Sequence, residues 1–290
     1  MKRFITKKRI LIALTVMLAA VFLFSGTQLI LYLADSKKQK DIYTELAQLV
    51  VTTPAPSGTP GQSDTPTEPK TDPVTGEPVA PEVQEDLVVV QLPNGVKTMV
   101  LRKYAQVYVL NPDMAGWLQI PGTNINYPVM YTPNDPEYYL KRNFYKEKTA
   151  AGCLFMQSTC DPFAPSDNVT IYGHHMKDGS MFADLMRYNR EPNFWKTHNI
   201  ITFDTIYEEH TYEIISVFTT SGTAGKGFAF HTFDFAENQE DFDRFVNTCK
   251  ALSQIKIETT AEYGDKLLCL STCEYSQTNG RLVVVAKQIS

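Results

Sequence analysis

The sequence predicts a mainly β domain, a barrel or a sandwich, set behind an apolar N-terminal helix and a proline-rich linker. Three observations predict it. From residue 115 onward the chain is a succession of short β-type runs broken by turn residues. Residues 52–82 hold eight prolines and almost no apolar side chains. At the start of the chain, basic residues precede a long apolar stretch.

Lys2, Arg3, Lys7, Lys8 and Arg9 stand before ILIALTVMLAAVFLFSGTQLILYLA. A run of about 24 residues is long enough to cross roughly 30 Å of hydrocarbon, so residues 1–35 read as a transmembrane anchor. A cleaved signal peptide is the competing reading, but the run is long for one and ends without a small-x-small site. The basic flank favours a cytoplasmic N-terminus with the rest of the chain outside, against a weaker pull from Lys37, Lys38 and Lys40.

Ile42, Leu46 and Leu49 fall near helical spacing and extend the anchor as a short helix. The stretch TTPAPSGTPGQSDTPTEPKTDPVTGEPVAPE then has no periodicity and too little apolar surface to offset the cost of ordering its backbone. Residues 36–82 are thus expected to be a short helix and a disordered linker. At about 3.1 Å per residue such a chain holds a domain up to roughly 90 Å from the membrane, which suits a thick cell envelope. The domain itself is expected to be residues 83–290, enough for one well-buried core. A net charge of −5 gives no reason to expect a nucleic-acid partner.

Within the domain the β-type runs are GWLQI, INYPVMY, GCLFMQ, NVTIYG, IITFDTI, TYEIISVF, KLLCLST and RLVVVAK. Eight short strands with such punctuation indicate a barrel or sandwich. Helices are few. In ENQEDFDRFVNTCKALS, Phe242, Phe245, Val246, Cys249 and Leu252 recur at three and four with charges between them, so this helix should pack on the sheet. A second helix is expected over 101–110, and a short one after DGSMFADLMRY.

The five cysteines, at 153, 160, 249, 269 and 273, are an odd number without the spacing of a disulfide framework, and there is no Cys-x-x-Cys. Cys269 and Cys273 cannot bond each other on an extended strand, where four residues span about 13 Å against the 7 Å a disulfide tolerates. Cys249 sits on the apolar face of the amphipathic helix and reads as a core side chain. The tripeptide Ser-Thr-Cys occurs twice, ending at Cys160 and at Cys273. Asp161 follows Cys160, and a neighbouring negative charge disfavours a thiolate. Cys273 instead closes an apolar strand, and Arg281 opens the next.

If these strands pair around the loop EYSQTNG with Cys273 opposite Arg281, the two Cβ atoms stand about 5 Å apart on one face. Ser271 then faces Val283, and Cys269 faces Val285. A guanidinium there favours a thiolate and can donate to an oxyanion. A core cysteine beside a surface arginine capping a hairpin is the competing reading of the same residues.

A cysteine nucleophile needs a partner to protonate the leaving group. His198, His210 and His231 lie in or beside polar or helix-flanking stretches and read as surface residues. In DNVTIYGHHMKDGSMF a strand runs into Gly173 and then His174 and His175, where a bend can aim one ring into a cleft. Adjacent side chains on extended backbone point opposite ways, so at most one should face the cysteine, and spacing leaves open which.

With these residues in place the chain resembles the sortases, membrane-anchored cysteine transpeptidases of Gram-positive cell surfaces, and most of all class B. The family's Thr-Leu-x-Thr-Cys signature is similar to CLSTC, where Cys269 stands in the usual threonine's place, a departure that bears on packing rather than catalysis. VTIYGHH matches the strand-Gly-His element, and Arg281 matches the arginine that opens the last strand. NPDMAGWLQIPGTNINYPVM, YYLKRNF and AGCLFM also look like class B segments, so the resemblance spans about residues 105–290.

The resemblance implies an eight-stranded sortase-type β-barrel with peripheral helices. It gives the catalytic roles to Cys273, His174 and Arg281, and lets Ser271 and Glu274 touch substrate; Tyr275 reads as a loop packing residue. Cys273 would attack the carbonyl of the threonine in a C-terminal sorting motif of a secreted protein and form a thioacyl enzyme. An amine of a peptidoglycan precursor or a pilin lysine would then resolve it. No metal and no cofactor is implied. The association of class B with Asn-Pro-type motifs belongs to the same resemblance. A papain-type protease would use the same Cys and His, but its local signature is absent, as is the Ser-x-Gly-Cys-x-Arg pattern of an L,D-transpeptidase. An anchored binding module without catalysis is the remaining alternative.

Overall fold

The structure is a computed structural model, and it describes residues 7–50, 86–162, 166–276 and 278–290. The stretch read as a linker lies outside the described residues. Helix α1 (Lys7–Leu49) is continuous through the apolar run and the short helical segment expected to extend it. Its most apolar window has a mean hydropathy of 2.0, so it is long and apolar enough to cross a membrane.

The eight runs expected as strands all form strands: β3 (Met114–Gln119), β4 (Asn126–Met130), β5 (Leu154–Met156), β6 (Asn168–Tyr172), β7 (Ile200–Thr205), β8 (Thr211–Ser221), β9 (Leu267–Glu274) and β10 (Gly280–Gln288). They close into a barrel in the order β10-β8-β7-β3-β4-β5-β6-β9, with β9 pairing back onto β10. A closed barrel leaves no strand edge to mispair. Two contacts, β4 with β5 and β6 with β9, are parallel, and the others are antiparallel. The β6–β9 contact sets two strand ends side by side.

A hairpin not expected from the sequence precedes the barrel: β1 (Leu87–Gln91) pairs with β2 (Lys97–Leu101). Its turn holds Asn94 and Gly95, the latter at φ +84°, a backbone that glycine adopts without strain. The helix expected over 101–110 is a 3-10 turn, Arg102–Tyr104, running into α2 (Ala105–Leu110). Tyr104 Oη donates to Asp204 Oδ2 at 2.6 Å and Lys103 Nζ lies 2.7 Å from the same oxygen, which ties this segment to β7. The short helix expected after DGSMFADLMRY begins inside it: a 3-10 turn, Ala183–Met186, runs into α3 (Arg187–Arg190), and α4 (Phe194–Thr197) follows.

Helix α5 (Gln239–Leu252) lies against the barrel as its periodicity requires. Asn238 caps it, accepting from Asp241 N at 3.1 Å, and Glu240 and Asp241 complement the positive end of its dipole. Phe242, Phe245, Val246 and Cys249 are buried with Phe233, Cys269, Val283 and Val285, and Phe233 stacks on Phe245 at 4.1 Å. Leu252 departs from the expectation: on the last residue of the helix it is 40 % exposed, although the helix end stays on β8, where Val217 N donates to Ser253 Oγ at 3.2 Å. The face of β9 and β10 that α5 covers, with Cys269, Val283 and Val285, is the face on which Ser271, Cys273 and Arg281 follow by the two-residue alternation of strands.

Candidate active site

Strands β9 and β10 pair with Arg281 opposite Cys273, Val283 opposite Ser271 and Val285 opposite Cys269, the register read from the sequence. Beyond the covered face the strand ends emerge into a cleft of about 370 Å³. Cys273, Arg281, Ser271, His174, Leu140 and Gln157 are among the residues that line it. Cys273 is partly exposed, whereas Cys153, Cys160, Cys249 and Cys269 are buried, and all five are free thiols.

His174 arrives through β6. Its parallel register with β9 sets Tyr172 beside Ser271, and the two strand ends are then tied together by Gly173 N donating to Ser271 O at 3.2 Å and Thr272 Oγ1 donating to Gly173 O at 2.8 Å. Gly173 is needed for packing: a Cβ there would fall inside contact distance of Leu154 and 2.6 Å from the Phe182 ring. The two adjacent histidines separate as extended backbone demands. His174 lines the cleft, with Nε2 2.7 Å from Leu140 O. His175 has Nδ1 3.3 Å from Cys273 O and stacks on Tyr275, which is 72 % exposed.

Arg281 turns Nη1 to the carbonyls of Gly280 at 3.0 Å and Asn279 at 3.4 Å, which fixes the guanidinium at the cleft. Ser271 is buried at its floor, and its Oγ has no hydrogen-bond partner among the described residues. Glu274 is not brought to the lining. Its carboxylate accepts from Ser276 N at 2.9 Å and Ser276 Oγ at 2.6 Å, closing the turn after β9.

The buried cysteines differ in chemistry from Cys273. Burial first, and the carboxylate against it second, push the Cys160 thiol up to about 12. That carboxylate is Asp234, with Oδ1 3.4 Å from Sγ, rather than the adjacent Asp161 expected from the sequence. Burial alone pushes Cys249 to about 12, and burial holds Cys269 well above the ordinary thiol range. The other histidines lie elsewhere: His198 stacks on Phe194 at 4.0 Å, His210 lies 3.5 Å from Glu208, and His231 is exposed.

Leu140, Gln157 and Tyr172 are among the lining residues not singled out from the sequence. Leu140 sits in a 3-10 turn, Tyr138–Lys141, inside YYLKRNF. Gln157 follows β5, accepts from Tyr172 Oη at 2.6 Å, and donates to Asp234 Oδ1 at 2.9 Å and His231 O at 2.8 Å. It thereby joins one cleft wall to the connection between β8 and α5. Tyr172, on the last position of β6, carries no signal that distinguishes it from a strand-end aromatic. Among the described residues no group of three His, Cys, Asp or Glu side chains is placed to hold a metal ion.

This arrangement has known counterparts. A family model described as the sortase domain matches residues 118–289, more than half of the chain. The chain is 34 % identical over 182 residues to sortase B of Staphylococcus aureus, covering 62 % of this chain and 72 % of that protein. It is 33 % identical over 183 residues to sortase B of Listeria monocytogenes, covering the same shares. Among solved structures, the Staphylococcus aureus sortase B–substrate complex matches with a TM-score of 0.60 at 32 % identity, covering 66 % of this chain and 86 % of that chain. On the family match, these relatives and the barrel that carries the cleft, the chain belongs to the sortase family and is a class B sortase, a transpeptidase enzyme.

Proposed function

We propose that Cys273 is the nucleophile, His174 the proton carrier and Arg281 the oxyanion donor of a transpeptidase that cleaves a C-terminal sorting motif after threonine. The observation that carries this reading is the convergence of the three on one cleft, with Cys273 the partly exposed cysteine among four buried ones. The Cys273 thiolate adds to the threonine carbonyl carbon, and the negative charge that develops on oxygen is met by N–H groups of Arg281. The C–N bond then breaks, the amine leaves with a proton from His174, and a thioester remains. An incoming amine gives its proton to His174, attacks the thioester, and displaces the thiolate.

Ser271 lines the cleft and its buried hydroxyl has no hydrogen-bond partner among the described residues, which supports a substrate contact. For Glu274 the role supported is to hold the turn that follows the nucleophile, and substrate contact would require it to leave Ser276. The substrates are secreted proteins with a sorting motif. The acceptor is an amine of a peptidoglycan precursor or a pilin lysine. The relative from Staphylococcus aureus is described in complex with a substrate, which supports a peptide in the same cleft here. Helix α1 anchors the enzyme with its N-terminus in the cytoplasm, and residues 83–290 act outside the membrane.

The test uses the full chain in detergent, incubated with Leu-Pro-x-Thr and Asn-Pro-x-Thr peptides with and without an added amine and read by mass spectrometry. A thioacyl adduct on the peptide containing Cys273, converted by amine to a ligated product, is expected. Hydrolysis indifferent to the amine would count against acyl transfer, and an adduct on Cys160 would remove the assignment of the nucleophile.

A further inference from the structure

One ring nitrogen of His174, which lines the cleft with Cys273, is held by a backbone carbonyl. Nε2 lies 2.7 Å from Leu140 O. A carbonyl oxygen only accepts, so Nε2 carries the proton and Nδ1 is left as the basic nitrogen. The bond strengthens when the ring becomes an imidazolium, because its donor is then charged.

The carbonyl is fixed from several directions. Tyr139, next to Leu140, is fully buried, donates to Asp113 Oδ2 at 2.7 Å and accepts from Asn111 Nδ2 at 2.7 Å. The same Asn111 amide donates to Phe144 O at 2.7 Å, and Cys153 N donates to Tyr139 O at 3.0 Å. Gly152 backs the turn from the other side at φ +60°. A Cβ on it would lie 2.6 Å from Leu140 O and 2.7 Å from Tyr139 O, distances real Cβ atoms do not reach.

We infer that the Leu140 carbonyl and Gly152 are positioning elements of the reaction: the carbonyl fixes the Nε2–H tautomer and ring orientation of His174, and the missing side chain at 152 lets the carbonyl do so. The carbonyl plays the part that a carboxylate plays in a three-membered nucleophile-base-orienter set, without placing a second negative charge near the thiolate. The inference rests on the proposed role of His174.

Five histidines make the ring nitrogens resolvable in the full chain in detergent with selective ¹⁵N-histidine labelling. The wild-type His174 ring is expected to show the Nε2-protonated form while neutral, with a slowly exchanging Nε2 proton. In Gly152→Ala that signature should give way to a tautomer mixture. Its kcat should fall on the order of a hundredfold, as a displaced catalytic group does, with KM for the sorting peptide changed less than threefold and the pH profile shifted.

Tyr139→Phe removes two hydrogen bonds without adding an atom and should move the same signals in the same direction, more weakly. An Nδ1-protonated ring in the wild type, or a folded Gly152→Ala with unchanged kcat and spectrum, would overturn the inference. If Gly152→Ala does not fold, the wild-type spectrum alone decides. His174→Gln separates the two levels: wild-type activity there removes the role of His174 itself, whereas a dead His174→Gln beside an unaffected Gly152→Ala removes only the positioning by Leu140.

Discussion

An alkylating reagent offered to the folded protein meets five thiols in two environments. Iodoacetamide should modify Cys273 and leave Cys153, Cys160, Cys249 and Cys269 unmodified until the chain is denatured. Peptide mapping checks this, and labelling of Cys160 at the rate of Cys273 would contradict it. Raised thiols also bear on stability. An unfolded cysteine ionises near 8.5, while Cys160 and Cys249 hold their protons to about 12 and burial holds Cys269 well above the ordinary thiol range. The folded state therefore binds more protons than the unfolded one above roughly pH 8.5. The contribution is intact below that pH and is lost as the pH rises towards 12, by up to about 1.4 kcal/mol per pH unit for each thiol. Cys160→Ala should keep most transfer activity and show a shallower alkaline decline of its urea midpoint. Arg281→Lys should lower kcat with the fold intact, because an ammonium lacks the planar fork that can bind Gly280 O and an oxyanion together. Equal kcat in the lysine variant would mean that charge alone suffices.

The elements that bring the site together were legible to different degrees. The β9–β10 register could be read from the loop length and the two-residue alternation, so the Cys273–Arg281 pair was available from the sequence. The parallel β6–β9 contact was not, because a parallel pair joined through distant segments leaves no local signature, and His174 reached Cys273 only through the family resemblance. Leu140 was invisible for a related reason: its functional atom is a backbone oxygen, and no side-chain pattern marks it. The β1–β2 hairpin did have a signal, Asn94-Gly95 between two apolar runs, which the reading passed over. The end of β6 offers a test at this scale. Gly173→Ala would force a methyl onto Leu154 and Phe182, an overpacking that costs about 1–3 kcal/mol. Activity should fall by more than the lost stability explains, since the shift is passed to His174. The check is kcat measured well below the variant's Tm, and a variant that loses only Tm would show the strand end to be tolerant.

At the scale of the molecule, the family match begins at residue 118, but the fold does not begin there. Tyr104 stacks on Trp117 with ring centroids 6.1 Å apart and donates to Asp204, whose other partners are Lys103 and His210 N at 3.1 Å. Asp204 is 8 % exposed, so its charge depends on these donors for what water would otherwise supply. Val100, Leu101 and Val107 of the same segment are buried, and Leu101 N donates to Ile206 O, just past β7, at 2.7 Å. Tyr104→Phe should therefore cost about 1–3 kcal/mol, the range for leaving a buried acceptor short of a donor. A chain starting at residue 111 should lose more, with a urea midpoint below that of a chain starting at 83, because it removes both side-chain donors to Asp204 and uncovers apolar surface at once. Equal midpoints for the two truncations would make residues 86–110 an accessory to the barrel. A lowered midpoint for the shorter one, with Tyr104→Phe in between, would place the boundary of the domain ahead of the hairpin, in a segment that the family match does not reach.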